Sequence, residues 1–432
     1  MRKLLTLALA AAPVGAQAPA VRLIAAPDAS SAPLFGVAAA VRALPGGRVL
    51  VNDVARRQLT LLDPTLRSPT VIADSVSGTA SSYGTRAGGL IAYTGDSTLF
   101  VDPAGLSMFV IDPAGTIARV ASVPRSQDAG AIAGSGVLAL DGKGRLVYRG
   151  GMNIMRMSAP RGGNTGSGLP FMPDFPDSSA IVRVDLATRK LDTAAYFKIA
   201  KVKLNITRTE SGIGSMSQVI DPLPVIDDWA VLADGSIAIV RGHDYHVDFV
   251  HADGTVSAGT KIPFDWQRLS DDDKIAVIDS ARKAAEAQAA AAPKDGNTAA
   301  NTLAGAVGGA TQQRVVMNFS TGGGGAPAGA KVAGAAGGGT TEYVNASDLP
   351  DYRPAFTASA VRGDEDGNVW VRTTAVRGGA AGAIYDVINS RGELVDRIQI
   401  PAGRQIVGFG KSGVVYMAAH DASGTWIERT HR

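Results

Sequence analysis

Residues Trp229–Ile262 read WAVLADGSIAIVRGHDYHVDFVHADGTVSAGTKI. Apolar, β-branched runs (Trp229–Leu232, Ser236–Arg241, Tyr245–Val250 and Val256–Ile262) alternate with Ala233-Asp234-Gly235 and Ala252-Asp253-Gly254. Asp-Gly supplies the left-handed backbone that tight turns need, so the stretch predicts four antiparallel strands, with hairpin turns after the first and third and a longer gap between the second and third. The rhythm recurs upstream. Val41–Leu44, Val49–Asn52, Gln58–Leu62 and Thr70–Ala73 repeat it, as do Gly89–Tyr93, Thr98–Val101, Met108–Ile111 and Ile117–Val123. A third copy is Gly136–Leu140, Arg145–Tyr148, Ala180–Val184 and Leu191–Ile199. Downstream come Ala358–Val361, Val369–Arg372, Ile384–Ile388 and Val395–Ile400. The final copy, Gln405–Phe409, Val414–Ala418 and Trp426–Thr430, stops one strand short, and Val21–Ala25 is the strand available to complete it by pairing with Trp426–Thr430.

Six such units, of which Asp364–Trp370, Ile384–Val395 and Arg404–Met417 are the most characteristic, resemble a six-bladed β-propeller of the NHL-like, uncharacterised bacterial secreted type. The resemblance implies an all-β ring over residues 17–432, closed by an N-terminal strand. The physical rationale is that each sheet buries both faces against its neighbours while closure protects the edges. A pair of β-sandwiches is the competing arrangement.

The chain has 432 residues, 52 Gly, 22 Pro and no Cys, which removes thiolate nucleophiles, disulfides, zinc-thiolate sites and Fe–S clusters. Met1-Arg2-Lys3, the apolar run Leu4–Ala12 and the small residues Val14-Gly15-Ala16 predict a signal peptide over residues 1–16 and an extracytoplasmic address, periplasmic or secreted. Without Arg2 and Lys3 the formal charge of +3 falls to +1, so nucleic acid is not an expected partner. No membrane span is expected, and the chain is read as a monomer.

Six blades of 40–45 residues need roughly 240–270 residues, which leaves about 150 over. Three insertions hold them: 150–179, 201–224 and 263–354, the last between the fourth and fifth blades. All leave the ring on one face, while the opposite connections are tight turns, and loops are where rigid scaffolds carry function. Ser270-Asp271-Asp272-Asp273 forms a capping box, and Ile275, Ile278, Ala281 and Ala285 follow at helical spacing, so a helix is predicted up to Pro293. Residues 294–345 are rich in Gly, Ala, Thr and Asn and are read as a mobile low-complexity loop, with 312–319 able to pair as a strand. Phe171–Pro176 is an apolar, proline-stiffened tip.

The ends of the second strands point to that same enlarged face. Arg241, Asp244 and Tyr245, with Asn52, Asp53, Arg149, Arg372 and His420, are the candidate ligand-binding residues. Such mixed charge suits a polar or anionic ligand, with arginine supplying forked donors. An Arg241–Asp244 ion pair inside one turn is the structural alternative. His243 and His246 are three apart on an extended segment and should diverge rather than share a metal. No cofactor motif and no catalytic signature is present. A binding or protein-interaction module is therefore expected, with an unidentified protein or small polar molecule as partner. The alternative is a metal-dependent hydrolase or lactonase: the likeness to gluconolactonase-type propellers implies a metal held by Asn52, Asp53 and Asp102.

Overall fold

A computed structural model describes residues 19–76, 82–84, 89–102, 104–134, 137–150, 175–209, 212–291, 342–375 and 382–432. These residues form six four-stranded antiparallel blades. Blade 1 is Ala38–Ala43, Val49–Asp53, Gln58–Leu62 and Pro69–Ala73; blade 2 is Leu90–Ala92, Thr98–Asp102, Ser107–Ile111 and Ile117–Ser122. Blade 3 is Ala139–Leu140, Leu146–Arg149, Ser178–Val184 and Leu191–Lys198; blade 4 is Asp228–Val231, Ile237–Arg241, His246–Val250 and Val256–Ala258. Blade 5 is Phe356–Gly363, Val369–Thr373, Ile384–Ile388 and Leu394–Gln399. Blade 6 takes Arg404–Phe409, Val414–Asp421 and Gly424–His431 from the C-terminal end and Ala29–Ser30 from the N-terminal end.

The second strand of each blade shows why the sequence makes a ring. Its residues are apolar on both sides of the pleat, and successive side chains go to different neighbours. Val49 and Val51 pack with Val407, Tyr416 and Ile427 of blade 6, whereas Leu50 packs with Phe100, Phe109 and Ile111 of blade 2. Ala238 and Val240 join the core shared with blade 5, and Ile237 and Ile239 the core shared with blade 3. Further cores join blade 2 to blade 3 through Val101, Leu146 and Tyr148, and blade 5 to blade 6 through Trp370, Val387, Ile406 and Met417. The hydrophobic core is thus a circle of six inter-blade seams. Blades also meet at their turns: Gly235, at φ +81°, lies so near Gly142 that a Cβ there would sit 1.8 Å from the Gly142 nitrogen.

The ring is closed by the N-terminal segment, but not through the strand pairing expected from the repeats. Val21–Leu23 adds to the outer edge of blade 5, parallel to Arg397–Gln399, and Ile24 enters the seam between blades 5 and 6. The missing strand of blade 6 is Ala29–Ser30, antiparallel to Arg429 and Glu428. Of the 21–24 run only Ile24 is buried, in the blade 5–6 seam, and that anchor places the preceding residues along the blade 5 edge, while the small residues Ala29 and Ser30 suffice where only backbone pairing is required. The strap is clasped by Arg22 to Asp396 (2.5 Å), Arg429 to Asp28 (2.9 Å) and the Thr430 hydroxyl to the Ala25 carbonyl (2.6 Å).

Two of the insertions are not separate loops. Lys203–Thr209 and Gly212–Ile220 form a hairpin, and Glu342–Tyr343 adds parallel to Val219 and Ile220, so residues far apart in sequence share one small sheet. The helix Asp271–Ala291 packs beside it, with Leu223, Leu269, Ile278, Val344 and Leu349 as the shared core. Its start follows the expected capping box: the Asp273 amide donates to Ser270 Oγ at 3.2 Å, and the Ser270 amide donates to the Asp273 carboxylate at 2.9 Å. Lys274, buried on this helix, reaches Asp351 at 2.8 Å. The expected signal peptide (1–16), most of the first insertion with Phe171–Asp174, and most of the 294–345 loop lie outside the described residues. Among the described residues no helix is long and apolar enough to cross a membrane.

Candidate functional site

On the insertion-bearing face, an aspartate repeatedly ends a second strand or begins an inner one. Asp53 is buried and accepts four backbone amides, from Gly36 (2.8 Å), Val37 (3.1 Å), Ala55 (3.1 Å) and Arg56 (3.1 Å). Asp102 does the same on a smaller scale, with Gly84 (2.9 Å) and Ala104 (3.1 Å). Each carboxylate ties the segment entering a blade to that blade's central turn. Asn52 is buried beside Asp53. Asp53 and Asp102, two of the residues that the lactonase likeness implies as metal ligands, are buried and hydrogen-bonded to backbone amides. Among the described residues no three His, Asp or Glu side chains gather as a metal-binding group.

Arg241 holds the join between blades 3 and 4. Its guanidinium reaches Asp227 at 2.8 Å and Asp248 at 2.7 Å, while Asp227 also accepts the amides of Lys198 (2.9 Å) and Gly242 (3.1 Å). Burial acts to lower its pKa, but the two carboxylates prevail and raise it. The alternative Arg241–Asp244 pair is not formed. Asp244 instead meets His246 Nδ1 at 2.7 Å and Lys261 at 3.7 Å; against its burial, His246 lowers its pKa. His246 Nε2 lies 3.2 Å from Asp248, so this imidazole is held by two carboxylates.

Tyr245 departs most from its expected position at the mouth. It is fully buried, in left-handed backbone at φ 50°, and donates its hydroxyl to Asp386 at 2.9 Å. Its ring packs edge-on against Phe264 with centroids 5.6 Å apart. Burial and the Asp386 charge push the phenol pKa well up. A strand-end tyrosine was expected to reach outward, but the left-handed turn rotates it into the seam between blades 4 and 5. His420 sits at a tight turn, with Nδ1 3.3 Å from the Thr425 hydroxyl.

Arg149 and Arg372 occupy the expected strand ends of blades 3 and 5. Arg149 Nε donates to Ser179 Oγ at 3.1 Å, and its guanidinium lies 5.5 Å over the Phe197 ring centroid. Three residues that were not singled out in the sequence join them. Asp228 begins the inner strand of blade 4 and accepts amides across the seam from Ala360 (2.7 Å) and Val361 (3.0 Å) of blade 5, as well as Trp229 (3.0 Å). Ser359, at φ 60°, makes the bulge that turns those amides toward it. Desolvation raises the Asp228 pKa from 3.8 to about 6, with the amides and Arg362 opposing. Arg362 lies in the inner strand of blade 5, where desolvation lowers its pKa and the charges of Arg372 and Asp228 act on it in opposite senses. Tyr385 is the cross-strand partner of Arg372 and lies within the field of both arginines. Arg149 too feels Asp228. Asp228 thus has the guanidinium groups of Arg149 and Arg362 in its field, and Arg362 in turn has Arg372 and the Tyr385 phenol, a set able to hold a polar or negatively charged group. The one signal in the sequence is an arginine in an inner strand, although Arg42 and Arg404 share that feature and are paired with Glu365 and Glu428.

No family model matches the chain, and no curated protein matches it. Similar solved structures include a gluconolactonase from Xanthomonas campestris, at 10% identity over 92% of this chain and 88% of that one, with a TM-score of 0.36. A virginiamycin B lyase from Staphylococcus aureus aligns at 10% identity over 92% of this chain and 96% of its own, with a TM-score of 0.37. A protein of unknown function from Bacteroides thetaiotaomicron aligns at 11% identity over 92% and 70%, with a TM-score of 0.39. At such scores these likenesses carry no argument; the six blades stand on the chain's own strand pairing.

Proposed function

We propose that this chain is an extracytoplasmic propeller that binds a polar ligand or protein partner on its insertion-bearing face, near the ring axis where blades 3, 4 and 5 meet. The observation that supports this is that Arg149 and Arg362 both lie in the field of Asp228, which beginning an inner strand places on that side of the ring, while Arg372 and Tyr385 stand beside Arg362 on blade 5. The opposite side is made of closed turns, such as Gly115 to Asp112 (2.9 Å) and Gly392 to Asn389 (2.9 Å), whose backbone groups already satisfy one another. Converging polar groups on a rigid scaffold are the usual mark of a binding site. The test is a thermal-shift screen of small polar and charged compounds, with hydrogen exchange to map each hit. Protection at residues 226–229, 360–363 and 384–386 is the expected result. Protection confined to the turns at 112–115, 252–254 and 391–392 would overturn the assignment.

A further inference from the structure

Resting on that reading, we infer that the site takes a single carboxylate on a small molecule, seated against the Arg362 guanidinium with the Tyr385 hydroxyl beside it. The inner strands offer a comparison among arginines. Arg42 of blade 1 is paired with Glu365 at 2.9 Å, and Arg404 of blade 6 with Glu428 at 3.1 Å. Arg362 makes no hydrogen bond or ion pair among the described residues, although desolvation is the largest influence on it. Arg362 keeps part of its surface open to solvent, so a bound anion can reach its unpaired guanidinium.

The register puts the groups together. Arg362 is opposite Trp370, and Arg372 is opposite Tyr385. Positions 370 and 372 are two apart on one strand, so Arg362, Arg372 and Tyr385 share one face of blade 5, with Arg362 one residue pair deeper. That face is the one turned to blade 6, since Trp370 and Tyr385 pack there with Ile406, Phe409 and Met417. Tyr385 also donates no hydrogen bond among the described residues, which leaves a donor next to the cation.

The ligand class follows from geometry and charge. A planar guanidinium fork matches paired oxygens of a carboxylate or a phosphate, so charge has to separate the two. The Arg362 guanidinium makes no ion pair among the described residues and offers one positive charge to a bound anion. Asp228 stands nearby, held by three amides, so a dianion such as phosphate would meet its repulsion.

The test is calorimetric titration of the full chain at low ionic strength with acetate, lactate and benzoate, alongside inorganic phosphate and acetamide. At least one carboxylate should bind saturably, with phosphate weaker and acetamide silent. Arg362→Gln should weaken that carboxylate by about 10-fold or more, the loss of a charge-assisted fork. Arg362→Lys should recover only part, and Tyr385→Phe should cost a smaller factor. Because the glutamine variant removes an unpaired cation, its melting temperature should not fall, and the lysine and phenylalanine variants keep the test alive if it does. Carboxylate binding unchanged in Arg362→Gln, with exchange protection still at 384–386, would sink the ligand assignment and leave the binding face standing. Tighter binding of phosphate, or no carboxylate binding at all, would also sink it. Protection moved to the 112–115 turn would sink both.

Discussion

Blades 1 and 2 and the junction of blades 4 and 5 use the same device to different ends. In each, an aspartate on the insertion-bearing face gathers backbone amides. Asp53 and Asp102 draw theirs from their own blades, and nothing is left over: the carboxylate neutralises amide dipoles and knits a turn to an incoming strand. Asp228 reaches across the seam to Ala360 and Val361, and Arg362, within its field, forms no ion pair among the described residues. A buried aspartate is thus no guide to function by itself. What separates clasp from candidate site is whether the surrounding charges balance.

The comparison requires a closed ring, and opening it should have the largest effect. Deleting residues 19–31 removes the parallel strand on blade 5, buried Ile24 and the outer strand of blade 6. Burial of one large aliphatic side chain alone stabilises by about 1.5–3 kcal/mol, so the total loss should exceed that clearly in urea melts. An unchanged midpoint would show that the strap does not close the ring.

Next comes Asp53→Ala, which strands four amide donors. A loss of about 3 kcal/mol or more is expected, with Asp102→Ala costing less because it frees only two. Equal losses would mean that amide count does not set the strength of these clasps.

Asp228 sharpens the contrast through pH. Its folded pKa is raised from 3.8 to about 6, so between those values the folded state binds the proton more readily than the unfolded one. Its burial therefore weakens the fold above pH 6, and this penalty is relieved as pH falls through 6. From pH 7 to pH 5 the native chain should gain on Asp228→Asn by about 1.4 kcal/mol, the equivalent of a tenfold change in proton affinity. Chemical melts of both proteins at the two pH values give this difference, and parallel curves would contradict it.

The smallest effect is expected at Asp244. Its bonds to His246 and Lys261 are partly exposed, so Asp244→Asn should change stability by no more than about 0.5 kcal/mol. A larger loss would place a third clasp on blade 4, beyond Asp227 and Asp228.

Local pattern was enough for the blades and the helix. Apolar alternation in Val49–Asp53 or Ile237–Arg241 and the Asp-Gly turns are properties of adjacent residues, as is the Ser270–Asp273 cap. Such features survive in any tertiary setting, which is why the repeats and the helix start were legible. Which edge Val21–Leu23 joins, and that Glu342–Tyr343 pairs with Val219 and Ile220, depend on surfaces assembled from distant segments. The site was half visible for the same reason. Arg149 and Arg372 announce themselves at strand ends, but the burial of Tyr245 hangs on one left-handed turn and on Asp386 of the next blade. That Arg362 lacks a partner while Arg42 and Arg404 have theirs is likewise a matter of three-dimensional charge placement, which no spacing along the chain encodes.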